Sequence, residues 1–150
     1  MTASTRLQPI KKMADKTEKN AAIDLSDSIK DKQDQINKLS QLIGYRDEYL
    51  IKLSEKSQLG VSSGQLQQYH LFLNKLNVAI NQQRNSVDAS EYNVDQKKGT
   101  WQNKNSRAQA IGKVMTNLKS KERLVKDRKE ANQLDELTTQ AFVRNSKIAI

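Results

Sequence analysis

One short break divides this chain, and it constrains the fold more than any other feature. Gln58-Leu59-Gly60-Val61-Ser62-Ser63-Gly64 holds two of the five glycines. Gly60 suits a helix C-cap, and Ser62 or Ser63 suits the N-cap of a following helix. Apolar residues recur in alternating steps of three and four on both sides of the break. The first run passes through Leu25, Ile29, Lys32, Ile36, Leu39, Ile43, Arg46, Leu50 and Leu53. The second passes through Leu66, Tyr69, Leu73, Leu76, Ile80, Gln83, Val87, Ser90, Val94, Lys97, Trp101, Lys104, Ala108, Ile111, Met115, Leu118, Glu122 and Val125. A strand alternates every two residues and cannot sustain such a repeat, whereas a seam of period 3.5 is that of left-handed coiled helices.

A connection this short makes its flanking helices antiparallel neighbours. The expected fold is therefore all-α, a long antiparallel two-helix coiled-coil hairpin with a longer second helix. The spacing predicts a single hairpin over 1–150, with helix 1 about 5–57, a turn at about 58–64 and helix 2 about 65–145. Pro9, the one proline, then falls where a first helical turn tolerates it. Folding about Val61 sets Ile10 opposite Gly112 and leaves roughly the last thirty residues overhanging. Lys97 and Lys104 flank Trp101 on the seam, where their stems snorkel.

Composition agrees with a rod-like seam rather than a thick core: 35% of residues are hydrophobic and 5% aromatic, with a mean hydropathy of −0.84. Cysteine is absent and there is one histidine, which removes disulfides, thiolate metal sites and most zinc, haem and triad chemistry. No run of apolar residues is long enough to span a membrane, and Met1 to Met13 lacks the apolar stretch of a signal peptide. These features imply a cytoplasmic protein.

The net charge of +9 is unevenly placed. Residues 1–20 carry five basic and two acidic side chains, and residues 96–150 carry thirteen and five, while the segments between are close to neutral. A chain folded back on itself brings both basic ends together. Near the turn the sequence holds more apolar groups than one seam can bury. Leu42, Tyr45 and Tyr49 form a stripe about 100° from Ile43, Arg46 and Leu50, and Phe72, Leu76 and Ala79 form a matching ridge on the second helix. With no third element to cover them, these groups read as a docking surface.

Chemistry is missing. The sequence has no glycine-rich phosphate loop, no paired carboxylate framework and no nucleophile with a base. His70 reads as a solvent or interface histidine. Asp24, Asp27, Asp31 and Asp34 are spaced like a metal ladder, but Lys30, Lys32 and Lys38 interleave with them, so a solvated face with ion pairs within the helix is expected. No catalytic, cofactor-binding or metal-binding residue is assigned. The basic tail, with Lys119, Lys121, Arg123, Lys126, Arg128 and Lys129, suits electrostatic contact; Glu122, Asp127 and Glu130 interrupt it and it lacks stacking aromatics. A general scaffold or a basic nucleic-acid-associated coiled coil is the competing reading.

Several stretches carry a resemblance to a known family. Arg6-Leu7-Gln8-Pro9-Ile10 resembles the opening phrase of the FliJ proteins of the bacterial flagellar type III export apparatus. Leu42-Ile43-Gly44-Tyr45-Arg46-Asp47-Glu48-Tyr49 resembles their signature near the end of the first helix. Gly60-Val61-Ser62 followed by Leu66, Tyr69, Phe72, Leu73, Leu76, Ala79 and Ile80 resembles their turn and second-helix start. The resemblance implies a non-enzymatic stalk-like coiled coil in motility, cytoplasmic and peripheral to the inner membrane at the flagellar base. It implies that the open end enters the hexamer of the export ATPase FliI, with Lys11, Lys12, Lys119, Lys121, Arg123, Lys126 and Arg128 as contacts. It implies that the turn-proximal face meets the export-gate protein FlhA through Leu42, Tyr45, Tyr49, Phe72, Leu76, Ala79 and Gln83, and that some members escort export chaperones. The family pattern has glutamine at Lys38 and histidine at Gln83. No small-molecule substrate, cofactor or specific nucleic acid is implied.

Overall fold

The computed structural model describes the backbone from Thr2 to Ile148 and side chains as far as Lys147. It consists of two helices, α1 (Ala3–Leu59) and α2 (Ser63–Ile148), with no strand among the described residues. The fold is all-α and antiparallel, with the longer helix second.

The ends of both helices follow local chemistry. Thr2 caps α1: its hydroxyl accepts the Thr5 N–H at 3.3 Å, and its carbonyl accepts that of Arg6. At the break, Leu59 ends α1 and Gly60 takes φ 92°, a left-handed conformation that a Cβ opposes. Ser62, rather than Ser63, caps α2, its hydroxyl accepting the Gln65 N–H at 3.3 Å. Pro9 lies inside α1 and not in its first turn. The helix starts earlier than expected, so the Thr5 carbonyl loses its donor four residues on; Thr5 is exposed, where water can replace that bond.

The chain forms two compact units. One contains the residues up to Glu18 and those from Lys104 onward; the other spans Lys19–Asn103. Pairing is antiparallel in each. In the first, Ser4 meets Glu122 and Lys11 meets the Ala108 carbonyl. In the second, Lys32 approaches Glu91, Gln35 meets Gln83 and Lys56 meets Tyr69. Gly112 lies against Lys11, whose Nζ is 3.4 Å from where a Cβ would stand, one residue from the expected Ile10.

The α2 seam is as expected. Of its eighteen positions, all but Leu66 and Val125, at its two ends, are buried or half-buried. Ile80 is the most enclosed, at 1% exposure. The α1 seam is wider than expected. Leu25, Lys32, Leu39, Arg46 and Leu53 are half-buried as expected, and so are Ile36 and Ile43, each beside the half-buried residue before it, Gln35 and Leu42. Ser28 and Tyr49 are covered where Ile29 and Leu50 are not. Ile29 and Leu50 are exposed by about half, at 51% and 44%. Ser28 is buried because its hydroxyl donates to the Leu25 carbonyl at 2.7 Å, and Ser90 on α2 does the same toward Val87. Such bonds let small hydroxyls enter a seam without an orphaned donor.

Candidate docking surfaces

The residues expected at the turn-proximal face divide into two kinds. In the second unit, Leu42, Tyr49, Leu76, Ala79 and Gln83 are half-buried, while Tyr45 and Phe72 are 57% and 46% exposed. Leu42 and Tyr49 are thus more covered than Tyr45 and Phe72, and Leu50 is more exposed than Tyr49. Tyr49 packs its ring 4.5 Å from Phe72 and 5.5 Å from Tyr69, both tilted, the offset geometry that aromatic quadrupoles prefer. Gln83 donates to both the backbone carbonyl and the side-chain oxygen of Gln35, each at 2.9 Å. It acts as a clasp between helices. Of the expected residues, those left outward are Tyr45 and Phe72, beside a framework fixed by Tyr49, Tyr69 and Gln83.

Tyr69 and Lys56 extend this framework beyond the expected residues. The Lys56 ammonium donates to the Tyr69 hydroxyl at 2.6 Å and is 5.2 Å from the ring centroid. It sits off the oxygen end of the ring, so the contact is a hydrogen bond and not a cation over the ring face. That bond holds the Lys56 pKa above its ordinary value. Loss of solvent around the Tyr49 phenol, and next the neighbouring Tyr69, pushes its pKa up.

The expected basic contacts also divide. Lys11 is committed within the molecule: its ammonium donates to Asp15 at 2.7 Å and to the Ala108 carbonyl at 3.1 Å. Lys12 and Arg128 are exposed on their own. Lys119, Lys121, Arg123 and Lys126 line one concavity of about 710 Å³ with Thr2, Glu122, Val125 and Lys129. Glu122 is the acid among these cations, and it is already engaged. Its carboxylate accepts the Ser4 hydroxyl at 2.6 Å and the Ser4 N–H at 3.0 Å. These two bonds, the hydroxyl's first, hold its pKa below the usual carboxylate range. The first turn of α1 contains no acidic residue, so α2 supplies the negative charge that a helix N-terminus favours.

The aspartate run is a solvated face, with Asp24, Asp27, Asp31 and Asp34 all exposed. The expected ion pairs within it do not form; Asp31 instead accepts the Gln35 side-chain amide at 3.4 Å. Among the described residues no cluster of three or more histidine or carboxylate groups is arranged to hold a metal ion. Nor, among them, is any helix long and apolar enough to cross a membrane.

Comparison with known proteins matches residues 3–147 to the family model described as "Flagellar FliJ protein". The chain is similar to the flagellar FliJ protein of Escherichia coli (strain K12), with 27% identity over 138 residues, covering 92% of this chain and 94% of that one. The Salmonella typhi protein of the same name shows the same identity and coverage. The flagellar FliJ protein of Buchnera aphidicola subsp. Acyrthosiphon pisum is 36% identical over 70 residues, covering 47% of this chain and 48% of that protein. No solved structure matches.

Proposed function

The chain belongs to the flagellar FliJ family, and from that premise we propose that it is a non-enzymatic coupling component of the flagellar protein-export apparatus with two separate partner surfaces. The turn-proximal surface binds the export-gate protein FlhA. The unit containing the start of α1 and the end of α2 binds the hexamer of the export ATPase FliI, and empty export chaperones are further partners. The protein works in the cytoplasm, at the inner face of the membrane beneath the flagellum.

The observation that carries this reading is the half-exposure of Tyr45 and Phe72 beside an otherwise committed framework. Tyr49, Tyr69 and Gln83 are used within the hairpin, and the apolar groups left outward have nothing within the described chain to cover them. Large aromatics in that position supply most of the energy of a protein contact. The Tyr45→Ala/Phe72→Ala double variant is expected to keep its helicity by circular dichroism and to lose binding to purified gate protein by at least about tenfold. Unchanged binding would remove the assignment of this surface.

A further inference from the structure

Beyond Glu122, the face of α2 that packs against α1 does not end; it changes character. Ala108, Ile111, Met115 and Leu118 are buried or half-buried, Glu122 is the last half-buried side chain, and every described side chain from Arg123 to Lys147 is exposed. The cause is that α1 begins at Ala3, and Ser4 is already bonded to Glu122. At about 100° per residue, Lys119, Val125, Lys126 and Lys129 lie within about 60° of Glu122. Leu137, Val143, Arg144 and Lys147 return to that arc further on. The uncovered track thus combines cations with Val125, Leu137 and Val143, with Gln133 and Gln140 near its midline, and the acid at its head has its charge turned onto Ser4.

We infer that this track seats an acidic amphipathic helix of a partner protein, laid on α2 where α1 runs out and continuing the same seam. Two observations choose that occupant. The track is continuous with the α1–α2 interface, so it lies where the packing of one helix along α2 has just ended, and Val125, Leu137 and Val143 give it apolar contacts. Its charged groups, apart from Glu122 and Glu136, are cations, which favour a partner with carboxylates flanking an apolar stripe. A nucleic acid is less suited: Phe142, the aromatic of this segment, lies about 160° from Glu122, and base stacking needs a ring on the binding face. The inference rests on the reading of this end as a partner-binding end and adds the chemistry of what binds.

The test uses the full chain and a labelled synthetic peptide of three heptads, with leucine at the seam positions and glutamate beside them, read by fluorescence anisotropy. Lys126→Glu/Lys129→Glu is expected to weaken binding about tenfold, and the effect should shrink as salt rises. Lys98→Glu/Lys113→Glu makes the same change in net charge on other faces of α2 and is expected to cost less than about twofold. Equal losses in both variants would overturn the track in favour of diffuse attraction. So would equal binding of a scrambled peptide of identical composition, or tighter Lys126- and Lys129-dependent binding of a single-stranded oligonucleotide. Retention of the export ATPase by a chain that binds no acidic helical peptide would also overturn it, while leaving the proposed function standing.

Discussion

Ser4 and Glu122 show how much one pair of residues decides. α1 starts with donors pointing outward and no acid of its own, and Glu122 answers two of them from the other helix. Because its folded pKa is lowered, the carboxylate stabilises this end at pH above its unfolded value. That contribution is lost as pH falls through the lowered folded value. Protection of the Ser4 amide from hydrogen exchange is therefore expected to hold at neutral pH and to fall in acid, below the ordinary carboxylate range. In Ser4→Ala the Glu122 pKa should move upward, though not all the way, since the backbone N–H remains; a carbon-detected titration would read it. An unmoved pKa would mean that the hydroxyl is not the cause. Neither partner stands out in the sequence. Glu122 occupies a regular seam position, and nothing local announces that a serine 118 residues away will meet it.

At the scale of the element, propensity and capping account for most of what forms. The break between α1 and α2 depends on Gly60, which holds φ 92° with open space around its missing Cβ. Gly60→Ala is expected to destabilise the protein by about 1 kcal/mol from backbone strain alone, measured by urea unfolding. A neutral result would show that the turn re-forms with another residue in that role. The width of the α1 seam was not legible in the same way. Ile29, Ile36, Ile43 and Leu50 form as regular a column as Ser28, Gln35, Leu42 and Tyr49, and the two differ by a single residue. Ile36 and Ile43 are half-buried beside Gln35 and Leu42, while Ser28 and Tyr49 are covered where Ile29 and Leu50 are not. Gln35 meets Gln83, and Tyr49 meets Tyr69 and Phe72. Arg46, on the same seam, has its Nε buried without a hydrogen bond, 3.9 Å from Asp47.

For the chain as a whole, charge matters more than core. The concavity around Lys119, Lys121, Arg123, Lys126 and Lys129 lies in the unit that holds the start of α1, and its cations are solvent-facing. Replacing Lys121, Arg123 and Arg128 with glutamate is expected to weaken binding of the export ATPase by about tenfold at low salt and by less at high salt. Sedimentation of the mixed proteins would measure it, and a complex indifferent to both changes would argue against a charged contact.

The sequence by itself determined two helices, their antiparallel order, the place of the break and the gathering of basic residues, because each follows from i-to-i+4 spacing, caps and composition. Only the tertiary structure decided that Ser28 and Tyr49 are covered where Ile29 and Leu50 are not, that Tyr45 is more exposed than Leu42 and Tyr49, that Lys11 is spent on Ala108, and that Glu122 completes α1. The physical reason is that a repeat sets the pitch of a seam but leaves its phase degenerate. The phase is chosen by side chains across the interface, whose distance along the chain hides them from any local pattern.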